Sequence, residues 1–111
     1  MLDVRRMRVL REVAQRGSFS AAAEALSFTQ SAVSQQIAAL EREAGAVLVE
    51  RSARGVRLTE AGEALVRHTE AILARLAEAE AELEAIAGLR GGRLRMAAFE
   101  SAGAIPPWSC R

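Results

Sequence analysis

The beginning of the chain places apolar residues three or four positions apart, which is the spacing of one face of a helix. This spacing predicts a first helix over residues 3–15 that ends near Gly17. Ser20 is then a candidate N-cap, because its hydroxyl can accept an amide hydrogen that a helix start leaves unpaired. A short second helix is expected over residues 21–26, followed by a tight connection at residues 27–28.

A third helix is predicted over residues 30–44, with Thr29 as its N-cap and Gly45 ending it in the left-handed conformation. Its apolar face consists of Val33, Ile37, Leu40 and Ala44. The opposite face is small or amide-bearing and consists of Ser31, Ser34, Gln35, Ala38 and Arg42. Such side chains suit a helix in the major groove of DNA, where glutamine can pair with adenine and serine can donate or accept. An ordinary solvent-exposed face is the alternative.

The pattern changes after the third helix. Residues 47–49 and 56–58 are short β-type runs, and the polar loop between them, residues 50–55, carries Arg51 and Arg54. We predict a two-stranded hairpin with a long basic loop. Beside a helix-turn-helix such a hairpin is a wing, whose arginines can reach phosphates or a minor groove. Two solvated loop arginines are the alternative.

A long helix is predicted over residues 60–87, capped by Thr59 and broken at Gly88. One stripe of this helix repeats at alternating spacings of four and three, which is a heptad seam. The stripe consists of Leu65, Thr69, Ile72, Leu76, Ala79, Leu83 and Ile86. We therefore predict that the helix pairs with a second copy. Packing of the stripe on its own chain is the alternative.

These elements predict a mostly α-helical protein: a winged helix-turn-helix of three helices and a two-stranded wing, followed by a long dimerisation helix. The predicted parts are a DNA-binding domain over residues 1–58 and a linker helix over residues 59–88. Residues 93–99 are predicted to form one further strand, and the rest of residues 89–111 has no periodic pattern. We expect residues 89–111 to be the poorly ordered remnant of the start of another domain, in a chain that is a fragment or a truncated or frame-shifted product. A short protein that folds this tail onto its dimer is the alternative.

The charge distribution agrees with binding to DNA, because residues 1–58 hold nine arginines and six acidic residues. A basic front suits contact with phosphate. Cys110 is the one cysteine and His68 the one histidine, so we expect no disulfide within the chain, no metal, no cofactor and no catalytic residue. The N-terminus lacks the apolar run of a secretory signal, and no stretch approaches about 20 consecutive apolar residues. A cytoplasmic protein without membrane contact is expected.

Several motifs together resemble one family. They are Gly17-Ser18-Phe19-Ser20-x-Ala22-Ala23, Gln30-Ser31-Ala32-Val33-Ser34-Gln35-Gln36-Ile37, Leu40-Glu41, Arg51, Arg54-Gly55-Val56-Arg57-Leu58-Thr59-Glu60-Ala61-Gly62 and Gly92-Arg93-Leu94-Arg95. Over residues 2–99 the chain resembles the N-terminal region of LysR-type transcriptional regulators. The resemblance implies a winged helix-turn-helix, a dimer formed by linker helices, promoter binding and a C-terminal domain that binds a small effector.

The resemblance also implies which residues contact DNA. The family's base and phosphate contacts fall on Gln30, Ser31, Ser34, Gln35 and Arg54. Ser31 stands where the family often has proline, and Gln35 where it often has arginine, so a different base preference is expected.

The expected partners are double-stranded promoter DNA and a second copy of the chain. A tetramer is expected only with a full-length effector domain. A small-molecule effector is expected for the full-length family but not for this chain. A coiled-coil module that never touches DNA is the competing interpretation, and salt-dependent DNA binding distinguishes the two.

Overall fold

The structure is a computed structural model that describes the backbone of residues 1–94 and the side chains of residues 1–89. Over that range it contains four helices and one two-stranded sheet. In chain order they are α1 (Val4–Arg16), α2 (Phe19–Leu26), α3 (Gln30–Ala44), β1 (Val49–Ser52), β2 (Gly55–Leu58) and α4 (Glu60–Leu94). Met1–Leu73 form one compact unit, and a second unit begins at Ala74. The predicted fold class, a mostly helical winged helix-turn-helix followed by a long helix, is confirmed.

Side chains that accept amide hydrogens begin the helices. Asp3 accepts from the Arg5 backbone N–H at the start of α1. Hydrogen bonds from the side chain and the backbone of Arg5 hold the pKa of the Asp3 carboxyl below its usual value. Thr29 accepts from the Ala32 N–H at 3.0 Å, and Gly45 ends α3 with a left-handed φ of 69°, as the sequence predicts.

The predicted cap of α2 is wrong by two residues. Ser18, not Ser20, is the N-cap, with extended backbone angles and a hydroxyl that accepts from the Ala21 N–H at 3.1 Å. The earlier start brings Phe19 into the helix, so that Phe19, Ala22 and Ala23 lie on one buried face. Burial of the phenyl ring favours this start over a cap at Ser20.

The core of the first unit lies among α1, α2 and α3. Its buried apolar residues are Met7, Val9, Leu10, Val13, Phe19, Ala22, Ala23, Val33, Ile37, Leu40, Leu48 and Val49. Ala44, which the sequence places on the apolar face of α3, is exposed because it lies at the end of the helix. Residues from the sheet and from the start of α4 pack against this core, among them Val56, Leu58 and Leu65.

The predicted hairpin is present, but its strands do not coincide with the apolar runs of the sequence. β1 and β2 pair antiparallel with Val49 opposite Leu58 and Ser52 opposite Gly55, so the turn holds only Ala53 and Arg54. The predicted strand over residues 47–49 and the six-residue loop are therefore wrong. A ladder is made by backbone groups, so a polar run can form a strand when one face of the hairpin meets solvent.

The long helix begins as predicted and ends later. Thr59 caps it, since its hydroxyl accepts from the Gly62 N–H at 3.0 Å. Gly88 does not end α4, and Arg93 and Leu94 are helical rather than part of a strand. A glycine lowers helix stability by only about 1 kcal/mol relative to alanine, which neighbouring residues can offset. The rest of the predicted strand and the tail lie outside the described residues. None of the described helices has the length and apolarity that a membrane crossing requires.

Candidate nucleic-acid interface

The connection between α2 and α3 is a tight turn. Ser27 adopts a left-handed conformation with φ 59°, and the Phe28 N–H donates to the Ala23 carbonyl at 2.8 Å. Ala22 and Ala23 bury their small side chains, which allows α3 to pack close to α2. The turn and these contacts define the relative position of the two helices, which is the arrangement of a helix-turn-helix.

The outer face of α3 is the candidate recognition surface. Val33, Ile37 and Leu40 are buried and attach the opposite face to the core. The predicted contact residues Gln30, Ser31 and Gln35 are exposed, and Ser34 is half-buried. Residues 30–40 contain no charged side chain, so this surface offers hydroxyls, amides and methyl groups.

The far end of α3 is attached to the start of α1. Arg6 donates to Gln36 Oε1 at 3.1 Å and forms an ion pair with Glu43. The Asp3 N–H also donates to Glu43 Oε1, at 3.2 Å. Because these contacts lie at the side of α3, they fix its orientation while leaving the exposed face free.

One contact between the wing and the helices is a backbone hydrogen bond. The Val56 N–H donates to the Gly17 carbonyl, in the turn between α1 and α2, at 3.1 Å. Arg54 lies in the two-residue turn of the hairpin, exposed, with its N–H donating to Ser52 Oγ at 3.2 Å. The structure therefore presents the Arg54 guanidinium at the tip of the wing.

Glu41 joins the wing to α3, a role that the sequence does not reveal. Its carboxylate accepts from the Leu48 N–H at 2.8 Å and from the Val49 N–H at 3.4 Å. The Leu48 N–H therefore bonds to a side chain of α3, one residue before β1 begins at Val49. Leu40-Glu41 belongs to the motifs that resemble the family, but the sequence pattern does not indicate this contact.

Thr59, at the start of α4, also binds the segment that precedes the wing. Its hydroxyl donates to the Val47 carbonyl at 2.6 Å, and its N–H donates to the Leu48 carbonyl at 3.0 Å. A Cβ atom at Gly62 would collide with the Leu48 carbonyl oxygen. The first turn of α4 therefore packs directly on the segment that precedes the wing.

Arg51 does not lie in the loop of the wing, where the sequence analysis places it. It lies on β1, its guanidinium carbon is 4.1 Å from the centre of the Phe19 ring, and its Nη2 donates to Ser34 Oγ at 2.9 Å. The structure thus brings together two predicted contact residues, Arg51 and Ser34, that are 17 positions apart.

The predicted dimerisation stripe divides into buried and exposed positions. Leu65 packs against the core, and Thr69 has no exposed surface, with its hydroxyl donating to the Leu65 carbonyl at 2.7 Å. The remaining large residues of the stripe, which are Ile72 in the first unit and Leu76, Leu83 and Ile86 in the second, are between 39% and 65% exposed. Ala79 is exposed as well. A buried residue cannot contact a partner, so the inclusion of Thr69 in the stripe is corrected.

Three helices, a tight turn and a basic hairpin define this unit as a winged helix-turn-helix. The sequence pattern of the family described as "Bacterial regulatory helix-turn-helix protein, lysR family" matches residues 4–63. The chain belongs to this family.

Relatives agree with this assignment. The probable HTH-type transcriptional regulator LrrA of Synechococcus elongatus is 40% identical over 108 residues, which are 96% of this chain and 37% of LrrA. The HTH-type transcriptional regulator CbbR of Rhodospirillum rubrum is 39% identical over 104 residues, which are 94% of this chain and 35% of CbbR. The chain therefore spans about a third of the length of these relatives.

Solved structures share the fold. The DNA-binding domain of CbnR, in a complex with DNA, superposes with a TM-score of 0.73 at 35% identity. The superposition covers 78% of this chain and 99% of the CbnR chain. The winged helix-turn-helix arrangement therefore matches an experimentally determined member of this class.

Proposed function

We propose that this chain is the DNA-binding part of a transcription regulator of LysR type and that α3 enters the major groove. The observation that carries the proposal is the exposed face of α3, which carries no charged side chain over residues 30–40 and is held between the wing and α1. A face that only met solvent would more often carry several charged side chains. The CbnR domain, which shares this fold, was solved with DNA bound.

The predicted contact residues on α3 and on the wing have different roles in this proposal. Gln30, Ser31, Ser34 and Gln35 face the base edges and the adjacent phosphates, because all four lie at the accessible surface of α3. The side-chain amide of a glutamine on this surface can form two hydrogen bonds to one adenine. Arg54, at the wing tip, reaches a phosphate or a narrow minor groove, which contributes affinity more than base choice.

We propose that the regulator binds as a homodimer through α4. Because Leu65 and Thr69 pack within their own chain, the seam uses the later positions Ile72, Leu76, Ala79, Leu83 and Ile86. Exposed leucine and isoleucine residues in a heptad pattern are what a partner helix covers. Two recognition helices then reach two half-sites of a promoter.

We place effector sensing and tetramer formation outside residues 1–89. The relatives are roughly three times as long as the matched region, which leaves room for a sensing domain. The proposed activity is binding rather than catalysis, in keeping with a family of regulatory proteins. A protein that acts on promoter DNA works in the bacterial cytoplasm.

Selection of binding sites tests the proposal. The chain is incubated with a library of randomised duplexes, the bound duplexes are sequenced, and the affinity for the enriched duplex is measured across salt concentrations. We expect one enriched sequence with two half-sites, and an affinity that falls steeply with salt because counterions are released. Absence of salt-dependent binding to any duplex would leave the coiled-coil module as the function.

The variant Gln35→Ala separates base recognition from general affinity. We expect it to lose about 1–3 kcal/mol on the enriched duplex and much less on random DNA, because a base contact is removed. Gln15→Ala is the matched control, since Gln15 is an exposed glutamine on α1 and is not among the proposed contact residues. Equal losses on both duplexes would argue against base recognition by Gln35.

A further inference from the structure

Arg51 brings a positive charge to the N-terminal part of the α3 surface, which has no charged side chain of its own. The N-terminal part of α3, residues 30–40, is uncharged, and Arg51 reaches it from β1. Its Nη2 lies 2.9 Å from Ser34 Oγ. The charge next to the recognition surface is therefore supplied by the wing rather than by the recognition helix.

Two features define the position of the Arg51 side chain: its stack on Phe19 and the register of the hairpin. Its guanidinium lies over the ring of Phe19, 4.1 Å from the ring centre, and the ring is itself buried in the core. Cations prefer this position over an aromatic face. In the hairpin register Arg51 is opposite Val56, whereas the neighbouring pair Glu50 and Arg57 projects to the other face. The register and the stack together direct the guanidinium to Ser34.

The hydrogen bond to Arg51 determines what Ser34 can offer to DNA. A serine hydroxyl has one hydrogen to donate and two lone pairs that accept. The guanidinium occupies one lone pair, and among the described residues none accepts the Ser34 hydrogen. The adjacent cation polarises the O–H bond, which strengthens donation. A base amino group approaching as a donor would in contrast meet the positive charge of the guanidinium.

We propose that Arg51 is a positioning residue that makes Ser34 a hydrogen-bond donor to DNA. Ser34 then selects an acceptor edge in the major groove, namely purine N7, guanine O6 or thymine O4, over the amino groups of adenine and cytosine. This inference rests on the proposed DNA-binding function. It goes further by assigning the chemical class of base edge that Ser34 recognises and the wing residue that sets it.

Site selection with four proteins tests the coupling: the wild type, Ser34→Ala, Arg51→Met and the double variant. Methionine keeps an apolar stem over Phe19 but has no donor and no charge. We expect Ser34→Ala and Arg51→Met each to reduce the preference at the same base pair by roughly two- to tenfold, the value of one hydrogen bond. In the double variant the preference at that base pair is expected to fall no further, because Arg51 acts through Ser34.

Two further variants test whether the effect depends on the position and the chemical group of Arg51. Arg57→Met removes an arginine from the opposite face of the same hairpin, where it pairs with Glu50, and we expect its selected sequence to match the wild type. Arg51→Lys keeps a positive charge and a donor but loses the planar guanidinium, and we expect it to retain part of the preference that Arg51→Met loses. If Arg51→Met does not fold, Arg51→Leu, which also lacks the charge and the donor, carries the test.

Other outcomes overturn the inference. If Arg51→Met weakens binding to all duplexes equally and flattens the salt dependence, Arg51 is a phosphate contact only. If Ser34→Ala lowers affinity without changing base preference, its acceptor is a phosphate and the proposed selection is wrong. In both cases the wild type still binds DNA, so the proposed function stands. A wild type that binds no duplex overturns both proposals.

Discussion

The carbonyl oxygen of Gly17 lies 2.6 Å from the position that a Cβ atom at Gly55 would occupy. The backbone of Gly55 has a φ of 120°, which L side chains rarely adopt, and the next N–H along the chain, that of Val56, donates to the same carbonyl. The backbone of the wing thus packs closely on the turn between α1 and α2. Glycine is required at position 55 for both the angle and the space.

We expect Gly55→Ala to lower the free energy of unfolding by roughly 1–3 kcal/mol, because alanine must adopt a strained angle and displace the Gly17 carbonyl. Urea denaturation measures this change. Gly88→Ala is the matched control, since its Cβ would meet nothing within 4 Å inside α4. Alanine favours a helix over glycine by about 1 kcal/mol, so we expect no destabilisation there. A Gly55→Ala protein as stable as the wild type would contradict this account.

Glu41 offers a second test of how the wing is attached. We expect Glu41→Ala to destabilise the protein by about 1–3 kcal/mol, since the buried Leu48 N–H loses its acceptor. Amide hydrogen exchange is expected to accelerate at Leu48 and Val49. The control is Glu24→Ala, which removes an exposed carboxylate from α2. Unchanged protection of the Leu48 amide would show that another group accepts this hydrogen bond.

Arg54 is expected to contribute affinity without sequence preference. We predict that Arg54→Ala weakens binding to selected and random duplexes by similar factors and reduces the slope of log affinity against log salt by about 1, as for one lost phosphate contact. Fluorescence anisotropy across salt concentrations measures both. Arg57→Ala is the control, because its guanidinium already pairs with Glu50 at 3.4 Å. An unaltered salt slope for Arg54→Ala would remove the wing tip from the interface.

The exposed stripe of α4 is expected to form the dimer. Leu76→Glu would bury an unpaired charge in the seam at a cost of more than about 2 kcal/mol, so we expect the dimer dissociation constant to rise more than tenfold. Sedimentation equilibrium measures this constant. Ala81→Glu adds the same charge two residues from Ala79 and Leu83, on the opposite face of the helix, and is expected to remain dimeric. Dimerisation of Leu76→Glu with wild-type affinity would place the interface elsewhere.

Local patterns alone were sufficient for the elements that depend on near neighbours. The apolar period, the Thr29 cap and the Gly45 terminator located α3 to the residue. The reason is that a helix satisfies its own backbone and needs only the right caps and one apolar face. The order of helices, hairpin and long helix, and with it the fold class and the family, followed in the same way.

Tertiary contacts decided the features that the sequence alone could not. Burial of Phe19 favours a start of α2 directly after Ser18, and the Glu41 carboxylate binds the backbone where the wing begins. Thr69 follows a heptad pattern, but the chain buries it, which a one-dimensional pattern cannot show. The Arg51–Ser34 hydrogen bond joins residues far apart in sequence. Such contacts depend on which surfaces the folded chain brings together, and that is why they appear only in the tertiary structure.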